Sequence, residues 1–273
     1  MSVRKTLEKL RIEFPELSFR ALTGERDYDA ILSILKDMYA AGIMESPVRM
    51  EQIRNDYAHL GSCKLETDSL LIQDSSQALA YTRITHYQSS NGNEKRFYGI
   101  RGISQAGIKL GLDDALLEWD EARALEIAAA KSPDLPSVLT FDSLEQDKCW
   151  QERLEAHKFK PIRYYVMMSR SLSMPIPEIP LPSGIEIRPY APGQERQIWD
   201  ASVEAFQDEW ESENVTEEDY QHWLADPEWN PDLFQVAWDG NQVAGTVLAY
   251  IDQAYNQENG VLCGYTENIS VRR

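Results

Sequence analysis

Four prolines fall within the ten residues Met174–Ser183, and no regular element can run through them. Proline lacks an amide hydrogen and fixes φ, so it breaks a helix and is kept out of central strands. The stretch reads as a semi-rigid extended linker. It divides the 273 residues into 1–173 and 184–273. The first part lies within the usual domain size of about 100–200 residues, and the second lies just under it. Whatever fold this chain has must be built separately on either side of that linker.

The two sides open alike. In the first, Leu17–Leu22 alternates like a strand, and apolar residues at Ile31, Ile34, Leu35 and Met38 mark a helix over 27–41. A second helix is expected at 49–58. Strands follow at 69–74, 78–84 and 97–103, the first two joined by the turn residues Asp74–Gln77. A long helix over 112–131, a strand at 137–141, a helix at 148–158 and a strand at 162–168 complete the first side. In the second, a strand at 184–189 precedes a helix at 194–206. Thr216 and Asp219 are spaced as a capping box for a helix ending near Ala225. Asp239–Gly240 sits between two strand-like runs, 233–238 and 242–250, a strong hairpin signal. Residues 264–271 begin a further strand. The order strand–helix–helix–strand–strand–strand therefore occurs twice, an internal repeat of about 165 residues that fits duplicated domains rather than a solenoid. The fold class is α/β, with an α+β mixed sheet.

Charge narrows the partners. The net charge is −18, and residues 181–273 hold 18 Asp/Glu against 4 Lys/Arg, a balance of −14. Such a field repels phosphate backbones, which argues against nucleic acid, and it attracts cations, amines included. Solubility alone is the plainer use of the same charge. No apolar run reaches the roughly 18–20 residues that span a bilayer, so no membrane segment is expected. The charged start Met1–Lys5 has no apolar region after it, so no signal peptide is expected. Cys63, Cys149 and Cys263 are odd in number and far apart, and this fits a reducing, cytoplasmic setting. His59, His86, His157 and His222 lack ligand spacing, so no metal site is expected. There is no Walker loop, dinucleotide fingerprint or Ser-His-Asp arrangement.

Three phrases carry a resemblance. Gly240–Thr246 is similar to the "D-G-x-x-V-G" hairpin of the GNAT superfamily of N-acetyltransferases. Tyr265–Arg273 is similar to that family's fourth strand, which leads into its acetyl-CoA loop. Lys158–Met168 is similar to the "G-F-x-x-x-x-x-Y-x-M" ending of a GNAT domain. With their order and spacing, the chain from about Leu17 onward resembles tandem-domain members such as the mycothiol synthases. The resemblance implies a complete but degenerate GNAT domain over 1–173, a linker over 174–183, and the N-terminal half of a second domain over 184–273. It implies transfer of an acetyl group from acetyl-CoA to an amine. The alternative from another class is a non-catalytic GNAT-like binding or regulatory module.

By this resemblance, the family's Gln/Arg-x-x-Gly-x-Gly/Ala pyrophosphate loop falls on Ile108–Asp113 in the first domain, where only Gly111 keeps its type. Asp113 and Asp114 suit a helix N-terminus but repel a pyrophosphate. Leu154 stands where the family often has a tyrosine acid, and Lys158 replaces the glycine of "G-F". In the second domain the loop would follow Arg273. What remains of that site is Ile269, Ser270 and Val271, whose main chain would hold the acetyl and pantetheine part, on an inner strand splayed from its neighbour. The Ile269 and Val271 side chains are expected in the core. Glu267, two residues earlier and expected on the same strand face as Ile269, is a candidate base. Asp208–Glu213, with Trp223 and Trp229, would suit a cationic small-molecule amine. A solvated acidic face with core tryptophans is the blander alternative. Acceptor identity and oligomeric state stay open.

Overall fold

The computed structural model describes residues 2–89, 92–131, 133–209 and 214–273. The first half opens with α1 (Val3–Glu13), β1 (Ser18–Arg20), α2 (Tyr28–Ala40), α3 (Met50–Ala58) and the single turn α4 (Leu65–Asp68). It continues with β2 (Ser69–Gln73), β3 (Ala78–Gln88), β4 (Lys95–Ile103), α5 (Gln105–Lys109), α6 (Leu112–Lys131), β5 (Ser137–Thr140) and α7 (Lys148–Ala156). Its sheet runs β1-β2-β3-β4-β5, antiparallel except for the parallel pair β4/β5. The second half holds β6 (Ile185–Arg188), α8 (Glu195–Ala205), α9 (Glu217–Leu224), β7 (Gln235–Asp239), β8 (Gln242–Tyr250), α10 (Gln253–Asn259) and β9 (Tyr265–Val271). Its sheet, β6-β7-β8-β9, is wholly antiparallel.

Helix patterning produces the packing. Ile31, Ile34, Leu35 and Met38 of α2 are buried against Leu71 and Tyr81 on one face of the first sheet. Leu112, Leu116 and Trp119 of α6 pack with Leu70, Ile84 and Phe97 on its other face. α1, not read as a helix from the sequence, joins that second cluster through Leu10. In the second half Ile198 and Ala201 of α8 meet Val236, Trp238, Val243 and Leu248. The capping box forms: Asp219 N–H donates to the Thr216 hydroxyl, and Thr216 N–H donates to Asp219 at 2.6 Å. Gly240 turns the hairpin at φ +58°.

Two expectations fail. Residues 162–168 form no strand. Tyr164, Tyr165, Val166, Met167 and Met168 are exposed instead. An apolar run becomes a strand only where a sheet edge satisfies its backbone and a layer covers its side chains. Here β5 is paired on its β4 side alone. Arg163 reaches across to Glu209 of the second half at 3.2 Å. The second failure concerns β9, expected as an inner strand of a mixed sheet. It is the edge of an antiparallel one, with β8 as its neighbour.

Candidate functional site

β9 is irregular where the sequence placed the site. Leu248 pairs with Glu267 and Thr246 with Ser270, so Asn268 and Ile269 together lie opposite Val247. This is a β-bulge, and Asn268 takes it up in the left-handed region at φ +46°. Asparagine tolerates that conformation better than most residues. The Thr246 hydroxyl donates to the Asn268 carbonyl at 2.8 Å and accepts from the Ser270 hydroxyl at 2.7 Å. Gly245 makes this close approach possible, since a Cβ there would lie 2.7 Å from the Ser270 carbonyl oxygen.

The bulge corrects the expected faces. Simple alternation puts Glu267 and Ile269 on one side. The extra residue reverses that parity, so Glu267 shares its face with Ser270, while Ile269 turns to the other side. Ile269 and Val271 are 62% and 77% exposed, not core residues. Ser270 is buried. Asn268 was not singled out from the sequence. The signal was an asparagine, poor in strands, inside a strand-forming run.

Glu267 lies in an acidic and aromatic corner. Partial burial first, then the charges of Asp226 and Glu228, raise its carboxyl above the ordinary value. Tyr265 stacks on Tyr250 with ring centroids 5.5 Å apart and donates to Glu228 at 2.5 Å. Burial pushes the Tyr250 phenol up to about 12, against the hydrogen bond it accepts from the Trp223 indole at 3.0 Å. Trp223 and Trp229 belong to a packed aromatic group with Phe234. Of the segment 208–213, only Asp208 and Glu209 lie within the described residues, and these pair with Arg273 and Arg163. Residues 210–213 lie outside them.

The first half meets this corner. Arg49, before α3, pairs with Glu228 and, at 3.1 Å, with Asp252. Asn55 Nδ2 donates to the His222 carbonyl at 3.1 Å, and Gly61 N–H donates to Glu218 at 3.0 Å. A cavity of about 550 Å³ opens between the halves, bordered by Arg49, Glu51, Glu228, Trp229, Asn230 and Gln253.

In the first half, residues 108–113 and the end of β5 are packed by neighbouring side chains. Residues 108–113 make no open loop: α5 runs to Lys109, Gly111 turns the chain at φ +75°, and α6 starts at Leu112. Asp113 at the α6 N-terminus is buried against Arg101, which also pairs with buried Asp147. The Arg101 guanidinium lies 4.0 Å above the Trp150 ring. β4 and β5 pair only over Lys95–Tyr98 and Ser137–Thr140. Past that point Phe141 packs on Gly99, where a Cβ would sit 2.0 Å from the ring. Trp150 and Phe159 meet Phe141 edge-on.

Among the described residues no group of three or more His, Cys, Asp or Glu side chains could hold a metal ion, and no helix is long and apolar enough to cross a membrane. No family model matches the chain. Its sequence is similar to a mycothiol acetyltransferase from Geodermatophilus obscurus, 31% identical over 98 residues, which are 35% of this chain and 32% of that protein. A mycothiol acetyltransferase from Catenulispora acidiphila is 32% identical over 87 residues, 32% of this chain and 28% of that protein. Each match thus spans about a third of the relative's length. Among solved structures, a GCN5-related N-acetyltransferase from Sphaerobacter thermophilus superimposes with a TM-score of 0.63 at 20% identity, covering 94% of this chain and 76% of that one. An acetyltransferase-like protein from Pyrococcus horikoshii gives 0.50 at 16% identity, covering 87% and 69%. The chain has the fold of the GCN5-related N-acetyltransferases.

Proposed function

We propose that this chain belongs to an N-acetyltransferase that moves an acetyl group from acetyl-CoA to an amine, with the reacting groups on the second half. The observation that carries this is the bulge at Asn268–Ile269 on the one-sided strand β9, beside a carboxyl whose pKa is raised. A bulge frees main-chain groups from the ladder, and amide hydrogens so freed are the donors that a thioester carbonyl needs as it gains negative charge. Ile269, Ser270 and Val271 would supply main-chain contacts to acetyl-CoA. Glu267 would take a proton from the incoming ammonium, and a raised pKa brings it nearer the working pH of such a base. Asp226 beside Glu267 and the Tyr265 ring favour a small cationic acceptor.

The first half would serve as a structural partner. Where the resemblance puts a pyrophosphate loop, Asp113 is buried in a group with Arg101 and Asp147, and beyond the β4/β5 pairing Phe141 packs on Gly99. That packing is also the observation favouring the second reading, a GNAT-like module that binds or regulates without transfer. The test is a free-thiol assay of the full-length gene product with acetyl-CoA and a panel of amines, repeated with Glu267→Gln. Acceptor-dependent thiol release that falls about 10²-fold or more in the variant supports the transferase, since general bases contribute about 10²–10⁴-fold. Acetyl-CoA binding without thiol release from any amine selects the module.

A further inference from the structure

We infer that Arg49, in the first half, is a positioning residue for the second half's site, acting through Glu228 on the strand that carries Glu267. The inference rests on the reading of Glu267 as the proton acceptor. β9 is hydrogen-bonded to the sheet along one edge only, paired with β8 from Tyr265 onward, so groups on its open side add to what fixes its first residues. Tyr265, the first residue of β9, is held by its hydroxyl on Glu228 at 2.5 Å and by its ring on Tyr250. Glu228 is itself 6% exposed, and a carboxylate that buried needs donors and a countercharge. Arg49 supplies the charge, and Gln52 adds a longer contact at 3.4 Å.

The guanidinium is a rigid fork, and its second prong is used as well. It binds Asp252, which caps α10 by accepting from Tyr255 N–H at 2.8 Å. Asp252 follows β8, and Tyr265 starts β9. One arginine from the first half thus secures both ends of the connection that delivers β9. Register then carries the effect two residues along the same face, from Tyr265 to Glu267.

The charges around Glu267 point the same way. Asp226 and Glu228 face it from the α9–β7 connection, Tyr250 from β8 and Tyr265 from its own strand. Arg49 is paired to one of the two carboxylates that raise it. Without Arg49, the Glu228 carboxylate that raises Glu267 has no counter-ion beside it, and proton release from Glu267 becomes harder.

The test is a ¹³C NMR titration of glutamate carboxyls in the whole chain, with the Glu267 signal assigned by its loss in Glu267→Gln. In Arg49→Met the Glu267 midpoint should move up by about half a pH unit or more, the scale set by an unscreened neighbouring charge. Glu228→Gln should lower the midpoint and abolish the effect of Arg49→Met in the double variant. Arg49→Lys should restore part of the shift, since it keeps the charge without the fork. Should Arg49→Met not fold, Arg49→Lys and Glu228→Gln decide: both midpoints must move, upward and downward respectively. A folded Arg49→Met protein with an unmoved Glu267 midpoint, or one shifted equally in the Glu228→Gln background, overturns the inference. The titration uses neither acetyl-CoA nor acceptor, so its failure is distinct from failure of the thiol-release assay.

Discussion

Replacing Arg101 with methionine removes the positive centre of a buried triad. The Arg101 side chain is 8% exposed, Asp113 4% and Asp147 5%. In the variant, two carboxylates face each other in a nearly dry site with no guanidinium between them. Removing one partner of a buried pair costs about 3–5 kcal/mol, because the remaining charge stays desolvated. The stacking on Trp150 is lost too, a contribution of about 0.5–2 kcal/mol that overlaps the first figure. A loss of about 3–5 kcal/mol corresponds to a Tm lower by roughly 6–20 °C at about 2–4 °C per kcal/mol.

The loss has a definite pH dependence. Burial raises the Asp113 carboxyl, Arg101 opposes that rise, and Asp147 adds to it. Without Arg101 the folded value rises further. A raised carboxyl contributes stability that is fully present below the unfolded value near 3.9 and is lost as pH rises through the folded value. The deficit of Arg101→Met should therefore be smallest near pH 4 and grow towards pH 8. Urea unfolding followed by circular dichroism at both pH values measures it. Adding Asp113→Asn and Asp147→Asn should recover most of the loss, since no buried charge remains and asparagine caps α7 as well as aspartate does. A cost below about 1 kcal/mol at pH 8, or equal costs at both pH values, would refute the account of this site as a desolvated ion triad.

Asp120 is fully buried on α6, its carboxyl is raised well above the ordinary value by burial, and Thr82 lies 2.9 Å from both oxygens. By the same sign, its stabilising share is present at low pH and fades as pH rises, so Asp120→Asn should flatten the dependence of stability on pH above about 4. A slope unchanged in the variant, measured by urea midpoints, would contradict this. Gly99→Ala should cost about 1–3 kcal/mol, because the new methyl overlaps the Phe141 ring and forces it from its place against Trp150. A variant as stable as the parent in urea would show that the ring moves freely.

Much of this protein was legible in the chain alone. The absence of helix and strand over 174–183 followed from four prolines, because proline's constraints are local and no tertiary contact relieves them. The helix α2 followed from apolar spacing, and the β7–β8 turn from Asp239–Gly240. Each of these signals is carried by residues within a few positions of one another. The corner around Glu267 was legible only as a position.

Tertiary structure decided the rest. The strand face of Glu267 depended on a single added residue at Asn268, and one insertion inverts a period of two. Arg49 and Glu228 are 179 residues apart, and Arg101 and Asp147 are 46 apart, so no spacing rule could join them. The strand expected at 162–168 had the right composition, but pairing needs an edge that the segment does not meet in this structure. Local propensity is a property of neighbours in sequence. Which charges neutralise each other, and which face a side chain takes, depend on the residues that folding brings together.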